Sequence, residues 1–140
     1  MIEMYNEIFK EYKKFIESNS KYNARVVKSY TNTSLKLPIV SCSLSNFMDT
    51  DYCTIDMIEK YDEMYLTIDV FSEDKPIDNI KVSAQDINDE LTDLTIKFFE
   101  SKRMRKTLCR LTPNADKGIL RRTIQYQGLI SRYRKNITRR

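Results

Sequence analysis

Residues 63–72 read EMYLTIDVFS. Met64, Leu66, Ile68 and Val70 form one apolar row, while Tyr65, Thr67, Asp69 and Phe71 form a partly polar one. Alternation by two is the signature of a β-strand, because successive side chains point to opposite faces. One apolar row backed by a mixed row predicts an antiparallel sheet with one face covered by helices.

Two segments have the period needed for that cover. In residues 2–18, Tyr5, Ile8, Phe9, Tyr12, Phe15 and Ile16 follow the spacing of a single helical face, and Glu3, Glu7, Lys10, Glu11, Lys13, Lys14 and Glu17 lie off it. Ser18-Asn19-Ser20 supplies a stop. A second helix opens at Ser83, with Asp86 three residues on in a capping-box-like pattern. Ile87, Leu91, Leu94 and Phe98 share its apolar face. Acids Asp86, Asp89, Glu90 and Asp93 fill its first half, and Lys97, Lys102 and Arg103 its end, as the helix dipole favours.

Further strands are expected in NARVVKSYT (23–31), LKLPIVSCSL (35–44), RMRKTLCRL (103–111) and ILRRTIQYQGLISRYR (119–134). Pro38 suggests a strand start or a sheet edge. TPNADKG (112–118) carries turn chemistry. Gly128, inside the last strand, suggests a bulge or a close backbone approach. SEDKPIDNIKV (72–82) reads as a turn and linker. Residues 44–61 fit neither period and read as an extended hairpin arm, or a loop with a short strand at 53–59. The expected architecture is one α+β domain over 1–140, in the order α-β-β-(arm)-β-α-β-β. It has an antiparallel (mixed) sheet of four to five strands and two helices on one face.

Charge is divided along the chain. Residues 1–101 hold 11 Lys/Arg and 19 Asp/Glu, a net of −8, and residues 102–140 hold 13 Lys/Arg and only Asp116, a net of +12. Such asymmetry points to an anionic partner or to a complementary copy of the same chain. On the last strand Arg122 and Arg132 share one parity, with Leu120, Ile124, Tyr126 and Ile130, and Arg121 and Gln125 share the other. Arg121, Arg122, Arg132 and Arg134 are the candidate residues for contact with such a copy or anionic partner.

Catalytic patterns are scarce. The chain has no His, and its two glycines cannot build a phosphate loop. Cys42, Cys53 and Cys109 are odd in number and widely spaced, which suits reduced thiols. Asp49, Asp51 and Asp56 lack the Gly and closing Glu of a calcium loop. No enzyme activity, metal or cofactor is expected. Neither a membrane-spanning segment nor a secretory signal is expected. No recognition helix or RNA-type aromatic motif stands out, so any nucleic-acid contact is expected to be with phosphates, without sequence readout.

The stretch FFESKRMRKTLCRLTPNADKGILRRTIQYQGLISRYRKNITRR (98–140) resembles the tail terminator and tail-completion proteins of tailed phages. The matching pieces are Lys106-Thr107-Leu108-Cys109, Pro113-Asn114, Arg122 with Tyr126, and Ile137 to Arg140; Leu37-Pro38-Ile39-Val40 is similar to an earlier strand of that family. The resemblance implies a virion subunit at the head–tail junction. It would form a ring, commonly a homo-hexamer, that ends the tail tube and meets the connector or stopper protein, with genomic DNA passing through the lumen and Arg121, Arg122, Arg132 and Arg134 at a subunit interface or facing that lumen. Another neck component, such as a stopper or head-completion ring, remains open. So does a small basic nucleic-acid-binding protein acting as a monomer or dimer.

Overall fold

A computed structural model of the protein describes residues 2–29, 37–53, 60–77, 79–112, 118–131 and 137–138. Of these, residues 2–3, 46–53, 60–61, 77, 130–131 and 137–138 are described as backbone only. Helix α1 spans Ile2–Asn19 and helix α2 spans Ala84–Ser101. The strands are β1 Arg25–Val27, β2 Ile39–Cys53, β3 Lys60–Ser72, β4 Lys75–Ile77, β5 Ile80–Val82, β6 Arg105–Thr112, β7 Leu120–Ser131 and β8 Ile137–Thr138. The protein is of the α+β class, with both helices packed on one face of a mixed sheet.

The sheet runs β1-β2-β3-β7-β6, and β8 also pairs with β7. Only β1 and β2 are parallel. At the centre, β3 and β7 pair without a break from Tyr61↔Ser131 to Ser72↔Leu120. This register brings Met64, Leu66, Ile68 and Val70 onto one face with Ile124 and Tyr126, and β2 adds Val40 and Cys42. Against that face pack Tyr5, Ile8, Tyr12 and Ile16 of α1 and Ile87, Leu91, Phe98 and Phe99 of α2, all buried. The apolar row of residues 63–72 is therefore the floor of the core. Phe99 stacks on Tyr126 at 4.6 Å and Tyr12 lies 5.2 Å from Phe98, so aromatic rings fill the seam between the two helices and the sheet.

Polar anchors inside this seam fix the helices. Asn88 is fully buried, and its amide nitrogen donates to the Val70 carbonyl (3.1 Å) and to Ser72 Oγ (3.2 Å). Its oxygen accepts from Thr92 Oγ1. Tyr12 shares a 2.6 Å hydrogen bond with Thr95, and Tyr5 donates to the Cys42 carbonyl at 2.7 Å. Buried polar groups hydrogen-bonded in this way hold a helix at one position along a sheet, where apolar contact alone would let it slide.

The helix ends follow local chemistry. Ser83 is the N-cap of α2 in an extended conformation, and its Oγ accepts the Asp86 N–H at 3.2 Å. At the other end, the Arg103 N–H bonds the Glu100 carbonyl and the Met104 N–H bonds the Phe99 carbonyl. Arg103 takes a left-handed conformation (φ 61°). This is the Schellman pattern, and it turns the chain from α2 into β6 while tucking Met104 into the core.

Four sequence expectations are refined. Residues 44–61 do form a long hairpin arm as far as they are described, for β2 and β3 pair out to Cys53↔Lys60; residues 54–59 lie outside the described residues. A register shift between Leu44 and Asn46 makes Ser45 an extra residue and exchanges the parity of β2, and a second shift lies between Asp49 and Cys53, which is why the arm fits no single period. The expected linker at 72–82 contains the β4–β5 hairpin, with Asn79 (φ 64°) in its tight turn. Gly128 produces no bulge: its pairing with Met64 is continuous with both neighbours, and the register shift lies on β6, at Thr107. The last strand, expected to reach residue 134, is described from Leu120 to Ser131, with residues 132–134 outside the described residues, and β8 returns along β7 beside Leu129 and Ile130.

Burial pushes the Cys42 thiol up from its ordinary value of 9.0 to about 12. The neutral thiol is thus favoured by folding. That contribution is complete below pH 9 and is lost between pH 9 and 12, where unfolded chains ionise and folded ones do not. Urea titrations across this range should show wild-type stability falling more steeply than that of Cys42→Ala, by about 1.4 kcal/mol per pH unit. Parallel pH profiles would refute this origin of alkaline sensitivity.

Candidate functional site

The nominated arginines fall into two groups. Arg132 and Arg134 lie outside the described residues. Arg121 and Arg122 lie on β7, and because the β3–β7 register is unbroken they project to opposite faces. Arg121 lies on the face away from the helices. Its Nε is 3.2 Å from Asp69 Oδ1, and its guanidinium sits 5.4 Å from the centre of the Phe71 ring. Asp69 also accepts the Thr123 hydroxyl at 2.5 Å. Arg122 lies on the helix face, with Nη1 3.2 Å from Asp89 Oδ1 of α2. Both arginines thus have internal carboxylate partners, one holding the outer face of the sheet and one tying α2 to β7. The structure does not bring them together into a single patch.

The outer face around Arg121 is polar. Ser41, Asp69, Thr123 and Arg110 stand in one row across β2, β3, β7 and β6, and Ser43, Thr67, Gln125 and Leu108 stand in the next. Thr112 and Thr123 share a 2.5 Å hydrogen bond, and Gln127 donates to the Tyr65 hydroxyl. Neighbouring side chains satisfy one another here, and no helix covers this face among the described residues. A small apolar cluster of Leu37, Ile39 and Phe71 closes one end of it.

Unpaired positive charge lies elsewhere. Arg103, Arg105, Lys106 and Arg110 are exposed and form no ion pair among the described residues. The last three stand on β6, at the end of the sheet path, so the outer backbone edge of that strand is unpaired among the described residues. The side of β6 that faces the helix layer is also uncovered. Cys109 is exposed there, and Leu111 is 52% exposed. The basic edge strand is the site that sequence reasoning missed. Its signal was present in RMRKTLCRL, whose cations occur at both parities and so cannot all turn inward.

Acids gather on α2, where Asp86, Asp93 and Glu100 are exposed and Lys97 is the only cation. Glu90 is taken up internally, accepting from Ser20 and from the Lys21 N–H. An open groove of about 520 Å³ lies between the two helices over Phe15 and Phe98, with Lys14, Lys97 and Lys102 on its rim. Lys102 is paired with Glu11. Among the described residues no group of three His, Cys, Asp or Glu side chains could hold a metal ion, and no helix is long and apolar enough to cross a membrane. Asp56 and the side chains of Asp49 and Asp51 lie outside the described residues. No protein-family model matches the chain, and no curated protein matches it.

These environments predict different costs for charge reversal. Arg121→Glu sets a second carboxylate against the nearly buried Asp69 and should cost about 2–4 kcal/mol, toward the range for breaking a buried pair. Arg110→Glu, on the exposed edge, should change stability by less than about 0.5 kcal/mol. Urea midpoints of the two variants, at unchanged m-value, measure the contrast. Equal losses would show that the Asp69 network contributes nothing special.

Proposed function

We propose that the protein is a structural virion subunit that assembles as a ring, commonly a hexamer, at the head–tail junction of a tailed phage. In this reading the ring ends the tail tube, meets the connector or stopper protein, and lets DNA through its lumen without reading sequence. The observation that carries it is the concentration, on one edge strand, of exposed cations without an ion-pair partner among the described residues, in a subunit whose described exposed acids lie on other elements. A closed ring joins two different surfaces of identical copies, and such surfaces must complement each other. The resemblance to tail terminators supports the same reading, because Thr107, Cys109, Arg122 and Tyr126 fall on β6 and β7, the hairpin that forms this basic side.

The internal pairing of Arg121 and Arg122 moves the proposed contact from those two residues to β6. Reversing either would disturb the fold as well as any interface. Arg105, Lys106 and Arg110 offer charge that has no ion-pair partner among the described residues. Whether that edge faces a neighbouring copy or phosphates in the lumen, the attraction is of moderate strength and screened by salt.

A second reading, a free-standing binder of nucleic acid, is favoured by the same exposed cations. Light scattering and duplex titration separate the two. The ring reading expects a multimer of the isolated chain, or its incorporation at the neck of assembled particles, and Arg105→Glu/Arg110→Glu should abolish either while leaving the urea midpoint unchanged. A monomer that binds duplex DNA tightly, loses affinity steeply with salt and is absent from particle necks would establish the second reading instead.

A further inference from the structure

Strand β6 is not the only open edge. On the other side of the sheet, β2 extends from Ile39 to Cys53, while β1 covers only Ile39–Ser41. From Cys42 to Cys53 the outer edge of β2 carries no partner strand among the described residues. Among the described residues, the sheet therefore ends on both sides in backbone donors and acceptors that no strand pairs, apart from the Cys42 carbonyl, which Tyr5 takes, and such an edge is the usual template for adding another strand.

The two edges differ in sign. The β6 sequence RKTLCRLT holds three cations and no acid, and the open part of β2, CSLSNFMDTDYC, holds two aspartates and no cation. Like edges repel when set side by side: β6 against β6 joins six cations, and β2 against β2 joins four acids. An edge carrying charge of one sign protects a monomer against its own copies. Edges of opposite sign on one sheet protect against two of the three possible pairings and favour the third.

Strand directions permit that third pairing. Since β2–β3, β3–β7 and β7–β6 are each antiparallel, β6 runs opposite to β2 within one sheet. When copies repeat around an axis roughly along the strands, each keeps its direction, so β6 of one copy meets β2 of the next antiparallel. This is the commoner and slightly stronger ladder. Because β1 occupies Ile39–Ser41, contact starts at Cys42, and an incoming β6 that engages the full open edge is displaced along the strand. A closed sheet needs such a stagger between its strands.

We propose that β6 of one copy adds to the Cys42–Cys53 edge of β2 in a second copy of this chain, continuing the sheet from subunit to subunit. The inference rests on the ring reading and names its contact. Ser43 and Leu108 stand on the same outer face, so a cysteine at Leu108 combined with one at Ser43 or at Ser45 tests the contact in an undisplaced and in a displaced register. In a Cys53→Ser/Cys109→Ser background, where the remaining Cys42 is buried, Ser43→Cys/Leu108→Cys and Ser45→Cys/Leu108→Cys should give, on mild oxidation, a reducible ladder extending beyond the dimer. Each single variant should stop at the dimer. A ladder from a single variant, or none from either double variant, overturns the edge contact. Light scattering of the wild-type chain then separates the two failures. Multimers without the ladder leave the ring standing with another interface, whereas a monomer that is also absent from particle necks removes the ring reading too.

Discussion

The unbroken pairing of β3 with β7 is the constraint on which the rest of the structure depends. It joins two stretches some sixty residues apart in sequence, from Tyr61↔Ser131 to Ser72↔Leu120. A one-residue slip would exchange every side chain between faces, placing Asp69 and Thr67 in the core and Ile68 and Val70 outside. Asn88 bonds the Val70 carbonyl and the Ser72 hydroxyl of β3 from α2, so the position of the helix also depends on this register. The same register sends Arg121 to Asp69 and Arg122 to Asp89. Two adjacent arginines thereby hold opposite faces of one strand, and neither is left to form the basic patch that their adjacency in sequence suggests.

The framework was largely legible because the apolar rows are clean. The row from Met64 to Val70 and the helical faces led by Tyr5 and Ile87 identify floor and cover, and Ser83 marks the start of α2 at the residue that caps it. The open choice at the arm and the misplaced bulge share one physical cause, a local change of parity or direction that periodicity cannot show. The extra residue at Ser45 shifts β2 from one parity to the other, and a second register shift follows between Asp49 and Cys53, so the arm looks patternless although it pairs as a hairpin. Gly128 looked like the place for a bulge, but bulges follow the pairing of a neighbouring strand, and the shift occurs at Thr107. The β4–β5 hairpin was hidden for another reason. Three-residue strands are too short to display a period, and Asn79 was the only mark of their turn.

The candidate site was the least legible part, because charge in a sequence does not reveal whether it is already paired. Of the basic residues after residue 101, Lys102, Arg121 and Arg122 have carboxylates waiting in the fold, at Glu11, Asp69 and Asp89. Those acids come from elements far away in sequence. The net division of −8 and +12 therefore overstates the polarity of the folded subunit, and only tertiary contacts reveal that part of the positive charge is spent internally. What remains on the described residues is the β6 edge.

That remainder bears on how the molecule controls its own edges. Charge on an edge strand and bulges at Ser45 and Thr107 are also the means by which permanently monomeric sheets avoid association. A purely protective design needs no difference between the two edges, since repulsion between like copies works with either sign. Here one edge strand is basic and the open stretch at the other edge is acidic, and such a sheet is poorly protected against its own head-to-tail repetition. The bulges then act differently. Each bends and twists the strand that bears it, so a sheet continued across copies would curve at the joints. Curvature at the joint separates closure into a ring from growth into an open fibre, since heterologous contacts give one or the other. In this fold the bends lie on the two strands where a joint would form, and the central β3–β7 pairing stays regular.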